Sequence, residues 1–217
     1  RKSTTHGPVS GYKIAYASKQ SQKANGISEP VYGALFKKQF VPNGGSIKID
    51  DFSGFHIESE ITFIIDKQIP NTVDSIEQLK PYIRSVHIGY DIPDNIYDSS
   101  QGKFCPNDIV IFGAAAHTYS YGPAFQLKNI HFNGNKLDVF YADKKVYEGS
   151  ENNTMGSPLE SLLWLTRKLR SQNKSLEAGN VVLCGAVSGA YKAKGSAAKG
   201  KYSANHPQLG QTVIEVK

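Results

Sequence analysis

The ten-residue stretch His56–Ile65 constrains this chain more than any other, because it alternates as a β-strand does. Successive side chains of a strand point to opposite faces. One face carries strongly apolar residues and a serine, namely Ile57, Ser59, Ile61, Phe63 and Ile65. The opposite face carries His56, Glu58, Glu60 and Thr62. The stretch is therefore predicted to be a β-strand with two acidic residues on its polar face.

Glu58 and Glu60 stand side by side on that polar face, roughly 7 Å apart along the backbone. Neighbouring carboxylates repel each other unless a positive charge lies between them, and a divalent cation is the common solution. A strand with a solvated polar face is the simpler interpretation, and for the pair alone it is the preferred one. A metal site is favoured only if the chain supplies further ligands.

Two further charged residues, Asp91 and Lys13, are candidates to complete a site. Asp91 ends the alternating stretch Ser85–Asp91 just before Pro93, although an aspartate there also suits a simple turn. Lys13 lies within the predicted strand Gly11–Ala17, where an exposed edge lysine is the alternative. A partly desolvated amine beside a metal would have a lowered pKa and could transfer protons near neutral pH. Three carboxylates leave positions open on a hard cation such as Mg²⁺ or Mn²⁺, which suits a substrate with two adjacent oxygens.

Local signals predict few helices and many strands. Serine caps predict helices over Lys19–Ala24 and Pro158–Arg170, and a weaker helical spacing covers Ser75–Arg84, which contains a proline. Predicted strands besides those above are Ile47–Asp51, Ile109–Ala116, Val181–Gly185, Gln211–Lys217, and a hairpin of residues 125–132 and 136–147 around Asn133-Gly134-Asn135. No repeat or linker divides the chain, so we predict one α+β, β-rich domain over residues 1–217, with helices outside its sheets.

The composition excludes some classes of protein. The 217 residues carry a net charge of +6, and no apolar run approaches the length that spans a membrane. The clearest basic cluster lies in a loop rich in glycine, alanine and serine, at Lys192, Lys194, Lys199 and Lys201. It could bind nucleic acid or attract an anionic small substrate, and a solvated loop without a role is the simplest alternative. We predict neither a nucleic-acid partner nor a membrane partner.

Cysteine usage and chain ends give the weakest expectations. Cys105 and Cys184 lack the spacing of a metal site and are predicted to be free thiols in a reducing compartment, with one disulfide as the alternative. The sequence begins at Arg1 without an apolar leader, so we expect a processed or trimmed chain and a cytoplasmic location. A homodimer with two-fold symmetry is the expectation from base rates.

Seven segments carry a resemblance to a known family. Those in the first half are Gly11-Tyr12-Lys13-Ile14, Ser28-Glu29-Pro30, Tyr32-Gly33-Ala34-Leu35 and Ile57–Phe63. Those further on are Asp91-Ile92-Pro93-Asp94, Met155–Leu159 and Ala178–Gly185. In this order they resemble the 2-keto-4-pentenoate hydratase and 4-oxalocrotonate decarboxylase group of the fumarylacetoacetate hydrolase superfamily. The resemblance runs from Gly11 nearly to the C-terminus, and we expect the helical N-terminal portion of that group to be absent.

The resemblance implies a mixed β-sandwich or roll of the fumarylacetoacetate hydrolase C-terminal type. It also implies Mg²⁺ or Mn²⁺ on Glu58, Glu60 and Asp91, with Lys13 handling protons. The implied substrate is a small 2-oxo or 2-hydroxy-dienoic acid of aromatic catabolism, which would chelate the metal and react through a stabilised enolate. Hydratases, decarboxylases and hydrolases all use such an enolate, so the family does not fix the reaction.

Several positions depart from the family pattern. They are Val31 in place of an acid, Ile96 near an expected arginine, the apolar Val110–Ala116 in place of a polar segment, and Cys184 in place of threonine. These changes favour a second hypothesis, a degenerate member that binds a ligand or partner without turnover. His56, on the metal face, is the candidate for a substitute catalytic residue, and His87, on the face of Asp91, is an alternative.

Overall fold

A computed structural model describes residues 7–94 and 113–217 of the chain. The strands, in chain order, are β1 (Val9–Ala15), β2 (Val31–Phe36), β3 (Ser46–Ile47), β4 (His56–Ile65), β5 (Ile83–Ile92), β6 (Thr118–Tyr121), β7 (Lys136–Tyr141), β8 (Lys144–Ser150), β9 (Val181–Lys192), β10 (Gly200–His206) and β11 (Gly210–Val216). The α-helices are α1 (Lys19–Ala24), α2 (Ile76–Leu79) and α3 (Pro158–Arg170). Short 3₁₀ helices cover Lys37–Gln39, Ile49–Asp51, Lys80–Tyr82, Leu127–Asn129, Glu151–Asn153 and Gly195–Ala198.

Two sheets organise the described residues. One sheet has the strand order β2-β1-β9-β4-β5-β6, and the other has the order β3-β11-β10-β7-β8. Apolar residues from both sheets and from α3 pack into one buried cluster, which includes Ile61, Phe63, Val139, Leu165 and Ile214. This arrangement confirms the predicted β-rich α+β class. Among the described residues, no helix has both the length and the apolar character needed to cross a bilayer.

The first sheet brings the predicted site strands together. β9 pairs with β1 in parallel and with β4 in antiparallel fashion, and β5 pairs with the other edge of β4. The bounds of β4 are those predicted from its alternation, and the bounds of α1 and α3 are those predicted from their caps. The leucines at helical spacing in α3, Leu162, Leu165 and Leu169, are all buried, as an amphipathic helix on a sheet requires.

One predicted helix and one predicted strand are shorter in the structure than the sequence indicated. Helix α2 has four residues, a 3₁₀ turn containing Pro81 follows it, and strand β5 already begins at Ile83. The predicted helix over Ser75–Arg84 is therefore wrong beyond Leu79, because proline interrupts the α-helical hydrogen bonds. Of the predicted strand Ile47–Asp51, only Ile47 is in a strand, and a 3₁₀ helix takes up the remainder from Ile49 onward.

The predicted hairpin around Asn133-Gly134-Asn135 is wrong. The hairpin joins β7 to β8 instead, through Ala142 and Asp143, whose φ angles of 46° and 64° are those of a tight two-residue turn. The predicted strand Ile109–Ala116 lies partly outside the described residues, and its described part, residues 113–116, forms a turn closed by a hydrogen bond from Ala116 N to Gly113 O of 3.2 Å.

Candidate metal centre

Three carboxylates converge where β4 meets β5. The antiparallel register places Glu58 directly opposite Asp91, and Glu60 lies two residues further along β4 on the same face. One oxygen of each carboxylate lies within 4.8 Å of the others. Glu60 and Asp91 are fully buried, whereas Glu58 is half-buried. The polar face of β4 is therefore not solvated, and the simpler interpretation of the two glutamates is wrong.

Lys13 reaches the same cluster from β1. Its backbone is opposite Leu183 in the parallel pairing with β9, and its side chain is 2% exposed. The Nζ atom forms an ion pair with Asp91 Oδ2. An exposed edge lysine is thereby excluded, and an amine and three carboxylates share one buried site.

An irregularity in β9 shapes the site. The register between β4 and β9 shifts on both sides of Glu60, and Gly185 has a φ of +101°, which favours glycine. The Gly185 N–H donates a hydrogen bond of 2.6 Å to Glu60 Oε2. A side chain at this position would place its Cβ 2.5 Å from the Cβ of Ala17. From the sequence, Gly185 was predicted to end a strand and a segment that resembles the family, but its contact with Glu60 was not predicted.

Oxygen atoms in the cluster remain without hydrogen bonds. Among the described residues, no donor hydrogen-bonds Glu60 Oε1 or Asp91 Oδ1, although both atoms are buried. An unpaired buried acceptor is costly unless a cation satisfies it. The donor set consists only of carboxylate oxygens, which hard cations such as Mg²⁺ and Mn²⁺ prefer. The residues present therefore fit a divalent cation.

The four charged groups are three carboxylates and one amine, so positive charge is in deficit at the site, and this deficit affects the pKa of each group. Burial raises the pKa of Glu58 to about 7, although Lys13 opposes this rise. Burial and the neighbouring acids raise the pKa of Glu60 well above its usual range, and burial also raises the pKa of Asp91. Burial lowers the pKa of Lys13, but the three carboxylates outweigh it and the pKa is raised overall. The lowering of the Lys13 pKa was expected beside a bound cation, so it stays a prediction; the carboxylates alone favour the charged amine.

The two candidate histidines lie in different environments. His56 is half-buried at the start of β4, and both burial and Lys192 lower its pKa. It does not belong to the three-carboxylate group, so its catalytic role stays a prediction. Both ring nitrogens of His87 are already hydrogen-bonded, Nε2 to Ser85 Oγ at 2.8 Å and Nδ1 to Gly122 O at 2.9 Å. Its role in the structure is to join β5 to the chain beyond β6.

Tyr16 is a second residue that sequence reasoning missed. It follows β1 directly, is half-buried, and has a φ of 56°, which is uncommon for a residue other than glycine. Burial and the charge of Glu58 raise the pKa of its phenol, whereas Lys13 lowers it. A tyrosine three residues beyond the candidate lysine was the available signal, but the sequence alone placed it inside a regular strand.

The positions that depart from the family pattern give a mixed result. Cys184 is a free, buried cysteine, and burial together with Glu60 raises the pKa of its thiol well above its usual range. It therefore stays a neutral, unreactive group. Val31 lines a cleft of about 920 Å³ with Ser28, Glu29 and Tyr32, and none of the charged residues of the centre borders that cleft. Ile96 and Cys105 lie outside the described residues.

A buried, all-oxygen site next to an amine, on a two-sheet β-rich domain, has the donor chemistry found in proteins that bind a divalent cation. The sequence matches the family described as "Fumarylacetoacetate (FAA) hydrolase C-terminal" over residues 10–214. The chain belongs to this family, which confirms the resemblance found in the sequence.

Curated relatives and solved structures agree with the assignment. A 4-oxalocrotonate decarboxylase from Pseudomonas sp is 24% identical over 180 residues, covering 83% of this chain and 69% of the relative. A 2-oxo-hept-4-ene-1,7-dioate hydratase from Escherichia coli is 23% identical, covering 82% and 68%. The structure of 4-oxalocrotonate decarboxylase from Pseudomonas putida G7 with magnesium and adipate has a TM-score of 0.91 at 20% identity and covers 100% of this chain and 81% of that one. Identity at this level shows the fold alone.

Proposed function

We propose that this chain is a divalent-metal-dependent lyase-type enzyme, a hydratase or decarboxylase, that acts on a small 2-oxo or 2-hydroxy-dienoic acid. The observation that carries the proposal is the convergence of Glu58, Glu60 and Asp91 beside the amine of Lys13, with buried, unpaired oxygens on Glu60 and Asp91. Structural proteins do not need such a group, because an apolar core avoids its desolvation cost.

The carboxylates of Glu58, Glu60 and Asp91 would hold Mg²⁺ or Mn²⁺. Gly185 orients Glu60 for this task through its N–H, which leaves Glu60 Oε1 free to ligate. When bound, the cation supplies a Lewis acid that stabilises enolate charge on the substrate. Burial of the centre excludes water and strengthens every electrostatic interaction within it.

Lys13 is assigned the transfer of a proton to or from the substrate. Its amine already contacts Asp91 and is shielded from solvent, so its position is fixed. His56 is assigned as a second proton-transfer group because it is half-buried on the same strand face as Glu58. Its lowered pKa leaves the imidazole neutral near pH 7, so it can accept a proton.

The relatives support the reaction class. The curated relatives are named as hydratases and decarboxylases. The solved structures similar to this chain contain magnesium, calcium or manganese. Their small-molecule acids suggest the same partner here, without nucleic acid or membrane. A homodimer and a cytoplasmic location stay predictions.

The second candidate function is ligand binding without turnover. Val31 lines a cleft that none of the charged residues of the centre borders, and Cys184 is an inert thiol, so these two positions supply no proton-transfer group to the centre. The two functions differ in whether a bound dienoate is consumed.

The deciding experiment follows the ultraviolet absorbance of 2-hydroxy-dienoic acids with and without Mg²⁺ or Mn²⁺. We expect the absorbance to decrease only when metal is present. The rate of this decrease should be about 10²- to 10⁴-fold lower in Lys13→Met, because a positioned proton-transfer group contributes that much to the rate. Lys128→Met, at an exposed lysine of a 3₁₀ turn, is the control and should keep full activity. Metal-dependent binding of the dienoate without any loss of absorbance would instead establish the non-catalytic function.

A further inference from the structure

A buried hydroxyl lies directly behind the three carboxylates. Thr62 follows Glu60 by two residues on β4, so both side chains project from the same face of the sheet. The residue opposite Thr62 on β5 is His87, and the residue opposite Glu60 is Gly89. Thr62 is fully buried, and its Oγ1 has no hydrogen-bond partner among the described residues. A buried hydroxyl without a partner destabilises a fold, so its presence requires an explanation.

The hydroxyl of Thr62 leans toward the centre. A side chain at Gly89 would place its Cβ 2.1 Å from Thr62 Oγ1, so the hydroxyl fills the space that this glycine leaves. Because Gly89 lies opposite Glu60, that space borders the ligand. On the other side, both ring nitrogens of His87 are already hydrogen-bonded. The unpaired acceptors that the structure describes on this face of β4 and β5 are therefore Glu60 Oε1 and Asp91 Oδ1.

The other buried threonines within residues 7–94 and 113–217 differ from Thr62. Each of their hydroxyls has a partner: Thr118 Oγ1 lies 3.0 Å from His117 Nδ1, Thr154 Oγ1 donates to Glu151 O at 2.7 Å, Thr166 Oγ1 donates to Leu162 O at 2.9 Å, and Thr212 Oγ1 donates to Ile88 O at 3.0 Å. The unpaired hydroxyl is thus the one that stands on the same face as unpaired carboxylate oxygens.

We infer that Thr62 is a positioning residue of the metal centre, whose hydroxyl donates a hydrogen bond to the carboxylate of Glu60 when a divalent cation is bound. This inference rests on the proposed function and adds a residue that holds one of its ligands in place. A carboxylate oxygen has two lone pairs, so Glu60 Oε1 can bind the cation with one and accept this hydrogen bond with the other. Since Gly185 N–H already holds Oε2, both oxygens of Glu60 would then be fixed. Ligating carboxylates are generally hydrogen-bonded by such outer groups.

The test removes the hydroxyl and keeps the shape of the side chain. We expect Thr62→Val to bind Mn²⁺ about tenfold more weakly in calorimetric titration, because the loss of an outer partner of a ligand has that effect. Thr62→Ser keeps the hydroxyl and should keep most of the affinity. Without metal, Thr62→Val should unfold at a temperature no lower than wild type, because an unpaired buried hydroxyl has been replaced by a methyl group.

Thr166→Val is the matched control, because it removes a buried hydroxyl of α3 that already has a partner. Its Mn²⁺ affinity should equal that of wild type.

The remaining outcomes separate the inference from the proposed function. Wild-type Mn²⁺ affinity in Thr62→Val, or a loss as large in Thr62→Ser as in Thr62→Val, overturns the role of the hydroxyl and leaves the proposed function intact. Weaker Mn²⁺ binding together with a lower unfolding temperature of metal-free Thr62→Val also overturns it, because the hydroxyl then serves the fold. If wild type itself binds no Mn²⁺, the proposed function fails and this inference fails with it.

Discussion

Glu60 and Glu151 are both fully buried glutamates, yet their carboxylates have opposite surroundings. Glu151 Oε1 is 2.8 Å from His206 Nε2, and its Oε2 accepts hydrogen bonds from the backbone N–H groups of Asn135 at 2.9 Å and Gly134 at 3.2 Å. Glu60 receives one N–H, from Gly185, and its other oxygen has no partner among the described residues. Both carboxylate oxygens of Glu151 therefore have partners, whereas one oxygen of Glu60 has none among the described residues.

The difference separates a structural acid from a candidate ligand. Glu151 ties the loop before β7 to the segment before α3 and to β10, so its burial serves the fold. Glu60 faces two further carboxylates and only one amine, so burial alone makes the metal-free centre unfavourable. Burial of an acid is thus not a sign of function, whereas burial together with unpaired oxygens and like charge is.

The largest expected effect is the loss of stability when Glu151, the structural acid, is removed. Glu151→Ala leaves His206 and two backbone N–H groups without their acceptor. We expect the free energy of unfolding to fall by about 3–5 kcal/mol, measured by urea denaturation, as when one partner of a buried pair is removed. Mn²⁺ affinity of the folded fraction should not change. A stable Glu151→Ala protein with weakened Mn²⁺ binding would contradict the separation of the two regions.

Glu60→Gln should have the converse effect. Replacing a ligating carboxylate by an amide should weaken Mn²⁺ binding at least about a hundredfold, since changes outside the ligand set already cost 10- to 100-fold. The metal-free protein should be no less stable than wild type, because a buried like charge is removed. Calorimetric titration and thermal unfolding measure the two effects. Glu160→Gln, at an exposed position of α3, is the control, and equal loss of affinity in both variants would refute the ligand role of Glu60.

Local patterns were sufficient to predict which three carboxylates lie together. Glu58 and Glu60 follow from alternation in β4, and Asp91 follows from alternation in β5, so only the pairing of the two strands was left to tertiary structure. Lys13 could be proposed from its place in a predicted strand and from the resemblance, but its position at the site depends on β9, which lies between β1 and β4. The caps of α1 and α3 are likewise local, which is why their bounds were correct.

The remainder depends on contacts distant in sequence. Strand β9 was predicted to end at Gly185 but continues to Lys192, because two register shifts interrupt its alternation. The segment Asn133-Gly134-Asn135 has the composition of a hairpin turn, but the carboxylate of Glu151 holds it as a loop. No local rule predicts which glutamate will be the partner of a loop and which will face other acids.

A smaller effect is expected from Gly185→Ala, which tests how the centre is held. The φ of +101° and the 2.5 Å approach to Ala17 Cβ strain any side chain there, so we expect a loss of about 1–3 kcal/mol in unfolding free energy. Since Gly185 N–H orients Glu60, Mn²⁺ affinity should fall as well. Gly189→Ala is a matched control, because Gly189 also has a positive φ, of 79°, but open space around it. If both variants lose stability equally and keep Mn²⁺ affinity, the strand irregularity does not position the ligand.

A last effect, within the range expected for Gly185→Ala, is a dependence of stability on pH that arises from the metal centre. The pKa of Glu58 is raised from its usual value to about 7 in the folded protein, so the native state binds more protons than the unfolded state between about pH 4.5 and 7. The associated stability is present at low pH and is lost as the pH rises through 7. Metal-free wild type should therefore lose roughly 2 kcal/mol relative to Glu58→Gln from pH 5 to pH 7.5, measured by denaturation of both proteins. Saturating Mg²⁺ should remove this loss, because the cation binds the ionised carboxylate of the native state alone. Parallel pH profiles of the two proteins without metal would mean that Glu58 is satisfied in the same way as Glu151, and the contrast between the two regions would disappear.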